Sequence, residues 1–476
     1  MGIGRRRGVR GAAAIALIAS LLAACGAPSS TASTAASRAA GPSAAASSPA
    51  PSPAASSIAD SPAGRRLAWV LDQLNGGASQ LTVGAVGDIF APWFLAQIPA
   101  AQLIATLRQA AASGPYTLSA YTRTADGTGA QARFTASLAS LDVFINVDAD
   151  SPNLISGLVF KAAVPTSGTT SWSDIDTALA GLASEHSLFA AELNGGACQP
   201  VHALNAAQTL AIGSSFKLYV LGELATQIAA GKAAWSEQLV IRDEWKSGGS
   251  GTMQGEAAGT VHTLDQYATQ MISISDNTAA DHLIHRLGRE AVEGNLAAMG
   301  LANPDRDIPF LTTNEAFVLK ATKDAALLQQ YLAADVAGRR RLLDGPVATT
   351  SVDVADFADW TSPRDIDTIE WFASTSDLCG AMSALRDLAT RPGLSQVQDI
   401  LAVNPGITVD KSAWPYVGYK GGSEPGVLQL TWLLRRPDDR WFVLSMTLDD
   451  PASAADHTLQ AVGLAGSAMS LLAEVP

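Results

Sequence analysis

Positive charge is scarce in this chain. Lys and Arg number 31 against 44 Asp and Glu, giving a net charge of −13. Binding to nucleic acid needs a basic face that neutralises phosphates, so nucleic acid is excluded as a partner. A polybasic membrane patch is excluded on the same ground. Cysteine is scarcer still, with three in 476 residues: Cys25, Cys198 and Cys379. Neither Cys198 nor Cys379 has a His partner pattern near it, which argues against a catalytic thiol. Histidine is thin as well. His282 and His285 lie three apart, whereas a zinc-protease helix needs His at i and i+4 with a Glu between. They read as ordinary helix surface, and neither a metal nor another cofactor is expected. The ten tryptophans read as core packing rather than a sugar-binding face.

The N-terminus holds a targeting pattern. Arg5, Arg6, Arg7 and Arg10 precede an apolar segment, Ala12 to Leu22, that is too short to span a bilayer. It ends in Leu22-Ala23-Ala24-Cys25, which resembles a bacterial lipobox. The resemblance implies that residues 1–25 are a lipoprotein signal peptide. Cys25 would be lipidated and the protein held on the outer face of the cell membrane. A plain secretory signal with a chance cysteine is the alternative. Export permits a Cys198–Cys379 disulfide, and two buried free thiols fit the sequence equally well.

Residues 26–60 are mostly Ala, Ser and Pro with no periodic apolar face, as in a disordered tether. Residues 61–165 read as a small α+β domain. Ser61-Pro62 starts a helix, Leu67, Val70, Leu71 and Leu74 keep helical spacing, and Asn75-Gly76 ends it. A second helical region, 91–112, is broken near Pro99. Strand patterns follow, with a hairpin turn at Asp126-Gly127 and alternation through Leu141, Val143, Ile145 and Val147. This order suggests a cone-like or cystatin-like unit, with Asp142, Asp148 and Asp150 as solvated turn and edge residues. Residues 170–476 form a second domain. A helix over 172–185 and two strands joined at Asn194-Gly195-Gly196 open it. Its middle is helical, and strands at 427–434 and 441–448 with a closing helix end it. The first and last parts would share a sheet, with the helices inserted between.

The chemistry is concentrated in three short motifs. Ile212-Gly213-Ser214-Ser215-Phe216-Lys217-Leu218 puts a serine three residues before a lysine, on one helix face. A serine hydroxyl needs a base, and a desolvated lysine can serve. Ser275-Asp276-Asn277 follows 61 residues later, and Lys420-Gly421-Gly422 after 145 more. S-x-x-K, S-D-N and K-T-G in this order form the penicillin-binding and β-lactamase signature.

With its flanks, the set resembles the class A β-lactamase-related serine hydrolases. The two-domain plan and the run Lys420-Gly421-Gly422-Ser423-Glu424-Pro425-Gly426-Val427 are most similar to LpqF-type lipoproteins and the cephalosporin esterase of the clavulanate cluster. The resemblance implies an α+β fold. A two-lobed serine β-lactamase-like domain, antiparallel sheet plus helical insertion, would follow a steroid-isomerase-like N-terminal domain. It also implies roles. Ser214 is the nucleophile, Lys217 its base, and Ser275 a proton relay. Asn277 would hold a substrate amide or carbonyl, and Lys420, on an inner strand, a substrate carboxylate. The strand segment Gly422-Ser423 would line the substrate, with the backbone N–H groups of Ser214 and Ser423 binding the oxyanion. Asp276 braces its own turn.

Two departures weaken β-lactam chemistry. Gly421 replaces the hydroxyl residue that helps hold the β-lactam carboxylate. No Glu-x-x-Leu-Asn pattern lies between Asn277 and Lys420, so the glutamate that hydrolyses the acyl-enzyme is missing. Glu315, the nearest, is placed to cap a helix. The expectation is a lipid-anchored serine hydrolase that takes small-molecule or cell-wall-derived acyl substrates and turns β-lactams over weakly. A true β-lactamase or D-Ala-D-Ala peptidase, or a non-catalytic ligand-binding lipoprotein, are the other readings.

Overall fold

The computed structural model describes residues 57–163, 171–322, 324–350 and 360–476. The segment read as a signal peptide, Cys25 and nearly all of the segment read as a tether lie outside these residues. Two compact units emerge, the second running from Lys161 to the C-terminus with a short segment at 136–140.

In the first unit Ser61 caps the helix Pro62–Leu74 by accepting from the Gly64 N–H at 3.0 Å, with proline at the first helical position. Pro92–Gln97 and Ala100–Ala111 are separate helices, divided at Pro99 as the sequence predicts. Four strands follow: β1 (Thr117–Arg123), β2 (Gly129–Thr135), β3 (Ser140–Val147) and β4 (Ile155–Ala163), in that order across the sheet. Leu67, Val70, Phe90, Phe94, Leu107, Phe134, Val143 and Ile145 fill the core. Asp142 departs from expectation. It is buried and makes a bidentate ion pair with Arg133 at 2.7 and 2.8 Å, rather than facing solvent. The alternation along β3 reads it as outward, but its neighbour on β2 supplies a fork-shaped donor that lets a carboxylate stay inside.

In the second unit the helix Trp172–Ala180 is shorter than expected, because Glu185 already begins a strand. The strands are β5 (Glu185–Asn194), β6 (Ala197–Leu204), β7 (Leu210–Ala211), β8 (Gln238–Val240), β9 (Val261–Thr263), β10 (Phe372–Ala373), β11 (Tyr416–Glu424), β12 (Val427–Arg435) and β13 (Trp441–Asp449). Five of them form an antiparallel sheet in the order β11-β12-β13-β5-β6, so the beginning and end of the unit do share one sheet. β11 lies at the edge of that sheet, not inside it. Its residues are buried nonetheless, because the Ser214 turn packs onto it. The helical middle includes Lys217–Ala229, Leu264–Ser273, Asn277–Leu287, Thr313–Ala321 and Thr375–Ala389. Cys198 on β6 and Cys379 on the last of these helices form a disulfide with Cα atoms 6.4 Å apart. Among the described residues, no helix is long and apolar enough to cross a membrane.

Candidate active site

The nucleophile turn is built where a short strand meets a helix. β7 pairs with β10, then Gly213–Phe216 makes one 3-10 turn and Lys217 opens the α-helix. Ser214 therefore stands in the turn just ahead of the regular helix. Gly213 has φ +46°, a conformation that side chains resist. Gly422 on β11 is required for a different reason. A Cβ there would lie 2.1 Å from the Ile212 carbonyl and 2.5 Å from the Ser214 nitrogen. Only a glycine lets the strand approach the nucleophile so closely. A Cβ on Gly213 would in turn lie 3.1 Å from the Ser423 nitrogen, so the two proposed oxyanion donors are neighbours. Ser215 anchors the turn from below. Its hydroxyl donates to the Gln429 side chain, whose amide nitrogen reaches Thr431 at 2.5 Å and Ser445 at 3.1 Å.

The second motif enters from the opposite side. Ser275 sits at φ +58° between the helices Leu264–Ser273 and Asn277–Leu287. Asp276 caps the second helix through Ala279 N–H at 2.8 Å. It also accepts from the Thr252 and Met253 N–H groups at 2.6 and 2.9 Å. It braces its turn, as the sequence predicts, and it also pins the loop at 247–253.

Lys217 is the centre of the site. Its Nζ lies 3.1 Å from Ser214 Oγ, 3.1 Å from Ser275 Oγ, 2.6 Å from the Ser275 carbonyl oxygen and 2.6 Å from Asn277 Oδ1. The last two can only accept. They take two N–H bonds and turn the remaining position of the nitrogen toward the hydroxyls. Burial lowers the Lys217 amine to a pKa of about 7, against the opposing pull of Asp276 and Asp281. Near neutrality the nitrogen thus has a lone pair to offer Ser214. Lys420 Nζ reaches Ser275 Oγ at 3.0 Å from the other side. Burial, and then the charge of Lys217, push it well below an ordinary lysine. Ser275 Oγ bridges two amines and can pass a proton between them.

The structure brings Ser214, Lys217, Ser275, Asn277, Lys420, Gly422 and Ser423 into one cluster. Asn277 is engaged on both ends, since its Nδ2 donates to the Gly248 carbonyl at 2.8 Å. Tyr419 explains Gly421: a Cβ there would fall 2.2 Å from the tyrosine hydroxyl. Glu315 caps its helix through the Thr312 N–H at 2.8 Å and pairs with Arg289 at 2.6 Å, as a capping residue should. The helix-surface reading of His282 is corrected. It is fully buried, with Nδ1 2.7 Å from the Thr278 carbonyl and Nε2 2.9 Å from the Arg242 N–H. Both ring nitrogens are committed. Among the described residues no cluster of three metal-ligating side chains exists.

Sequence reasoning missed a group beside this cluster. Lys320 bonds Glu370 at 2.8 Å and Glu424 at 2.5 Å, all three largely buried. Glu424 stands inside the Lys-Gly-Gly-Ser-Glu run, one residue past the last position assigned a role, which was the signal available.

Comparison with known proteins bears on the fold. Residues 171–365 match the profile of the "Beta-lactamase enzyme family", a span that contains Ser214, Lys217, Ser275 and Asn277. Residues 58–152 match "ORF 12 gene product N-terminal". No curated protein matches the chain. Among solved structures, PBP-A is 17% identical with a TM-score of 0.42, over 63% of this chain and 96% of its own. A β-lactamase from Sphaerobacter thermophilus is 20% identical, TM-score 0.44, over 64% and 97%. One from Chitinophaga pinensis is 12% identical, TM-score 0.43, over 64% and 98%. The second unit is β-lactamase-like in fold.

Proposed function

We propose that this protein is a lipid-anchored serine hydrolase that forms an acyl-enzyme on Ser214 with ester, amide or β-lactam substrates. The observation that carries this reading is Lys217, whose two N–H bonds are taken by pure acceptors while its remaining face meets Ser214 Oγ. Lys217 takes the hydroxyl proton as Oγ attacks the acyl carbon. Ser275 and Lys420 pass a proton to the leaving group. The Ser214 and Ser423 N–H groups hold the oxyanion. Cys25 would tether the enzyme at the outer face of the membrane.

β-Lactams should acylate and stay. Their leaving amine remains attached to the acyl group and keeps its place in the cleft, whereas an ester releases its alcohol and admits water. The absence of a Glu-x-x-Leu-Asn pattern between Asn277 and Lys420 slows the β-lactam case further. The test is intact mass of the full-length protein after exposure to a penicillin and a cephalosporin, with Ser214→Ala as control. A persistent adduct on the wild type and none on Ser214→Ala is expected. Rapid loss of free β-lactam without an adduct would indicate a true β-lactamase. No adduct, and no hydrolysis of any ester, would leave the binding lipoprotein.

A further inference from the structure

Hydrolysis of an acyl-enzyme needs a group that takes a proton from water. Among the described residues, most carboxylates around the cluster are already committed. Asp276 holds three backbone N–H groups. Asp281 accepts from the Thr313 and Asn314 N–H groups and the Thr313 hydroxyl at 2.7–2.9 Å. Glu315 pairs with Arg289 and caps Thr312. Asp307 accepts from the Phe372 N–H at 2.9 Å and is fully enclosed.

Glu424 is different. Side chains alternate along a strand, so Glu424 shares the face of β11 that carries Lys420 and Gly422. A Cβ on Gly422 would lie 2.5 Å from the Ser214 nitrogen. Two residues along a strand is roughly 6.6 Å, a distance that a glutamate side chain and one water can bridge. Lys320 comes to it from the helix Thr313–Ala321, whose Phe317 lies against Gly249 beside Asn277. Of the three grouped side chains, Lys320 and Glu370 are 1% and 3% exposed, and Glu424 keeps 12%. The solvent-reaching carboxyl of the group is the one on the catalytic strand. One ammonium faces two carboxyls, so the group is electrically balanced only after it gains a proton. That is the property a proton acceptor needs.

We propose that Glu424, with Glu370 and Lys320 behind it, takes the proton of the water that hydrolyses the Ser214 acyl-enzyme. The proposal rests on the acyl-enzyme reading above. The water oxygen bonds to the acyl carbon as one of its protons passes to the Glu424 carboxylate. The carbon–Oγ bond then breaks, and Oγ recovers the proton of the new acid's hydroxyl with Lys217 as carrier. The acid leaves as a carboxylate and Glu424 returns its proton to solvent. The groups facing Glu424 are Glu370 and Lys320, with Lys420 further along its own strand, and Asp450, Asp456 and His457 line the same cavity as Glu424. Burial, and then the second carboxylate, raise the Glu424 carboxyl well above its ordinary range, against the pull of Lys320. The rate of hydrolysis should therefore climb with pH past the usual carboxylate titration.

The experiment is pre-steady-state hydrolysis of p-nitrophenyl acetate by full-length wild type, Ser214→Ala, Glu424→Gln and Glu370→Gln. Wild type should show a burst and then turnover, and Ser214→Ala neither. Glu424→Gln should keep the burst and lose steady-state turnover by about 10²–10⁴-fold. Glu370→Gln should move the pH limb of turnover to lower pH, since one carboxylate fewer repels the charge on Glu424. An intact burst with unchanged turnover in Glu424→Gln overturns the proposal. Should that variant not fold, a wild-type turnover that is flat between pH 5 and 8, or a limb unmoved in Glu370→Gln, overturns it equally. A wild type with no Ser214-dependent burst would instead refute the acyl-enzyme reading beneath it.

Discussion

Lys217 gains value as a base by losing water. Its folded pKa of about 7 lies below that of a free lysine, because burial disfavours the ammonium. Below that pH the nitrogen is an ammonium with no lone pair, and above it the amine can accept the Ser214 proton. The rate of acylation should rise with pH and level off above about 7, as stopped-flow β-lactam binding would report. Lys217→Arg cannot deprotonate and should lose acylation by about 10²–10⁴-fold while staying folded. Gly421 makes a second test at this scale. A threonine there would restore the missing hydroxyl on paper, but the Tyr419 hydroxyl occupies its Cβ position. Gly421→Thr should cost about 1–3 kcal/mol of stability, as overpacking does, and bring no gain in affinity for a β-lactam carboxylate. Differential scanning fluorimetry and competition binding would show both. The sequence showed that Gly421 departs from the usual motif. It did not show why, since the cause is a side chain two positions away that folds back on the same face.

The elements around the site are held by caps and cross-links more than by propensity. Asp276 is the strongest case, because one carboxylate closes a helix and fixes a loop at once. Bonds to a charged acceptor contribute roughly 1.5–3 kcal/mol each and are not additive. Asp276→Ala should therefore lower stability by at least about 3 kcal/mol in urea denaturation and slow acylation, because Ser275 and Asn277 flank it. The disulfide acts over a longer range. It joins β6 to the helix Thr375–Ala389 across 181 residues. Reduction should cost about 2–5 kcal/mol, visible as a lower urea midpoint in the presence of dithiothreitol. Local signals explain why these elements were legible. Ser61-Pro62, Asn194-Gly195-Gly196 and the alternation of 427–434 and 441–448 each depend on near neighbours. The resemblance implies an inner strand for Lys420, yet β11 is an edge strand and what covers it is the Ser214 turn, a contact between distant parts of the chain. The Lys320–Glu370–Glu424 group was invisible for the same reason. Its partners are 50 and 104 residues apart, and no periodicity links them.

At the scale of the molecule, every residue assigned to the acyl-transfer site belongs to the second unit. Its sheet takes two strands from the beginning of that unit and three from the end, so it closes only when the whole span is present. Its core runs from Phe189 through the buried helix Lys217–Ala229 to Val443. The first unit has its own four-stranded sheet and its own apolar interior. A fragment beginning at Lys161 and ending at Pro476 keeps all five strands, the disulfide and the entire cluster around Lys217. It should fold in one cooperative urea transition and acylate at the full-length rate within about threefold, a difference of well under 1 kcal/mol in barrier. A fragment stopped before β11 should do neither, because it loses Lys420, the close-approach Gly422 and the edge on which the nucleophile turn rests. Intact-mass kinetics with one penicillin compares all three proteins. If the Lys161–Pro476 fragment folds yet acylates far more slowly, the first unit takes part in the chemistry, and the assignment of the whole site to the second unit is wrong.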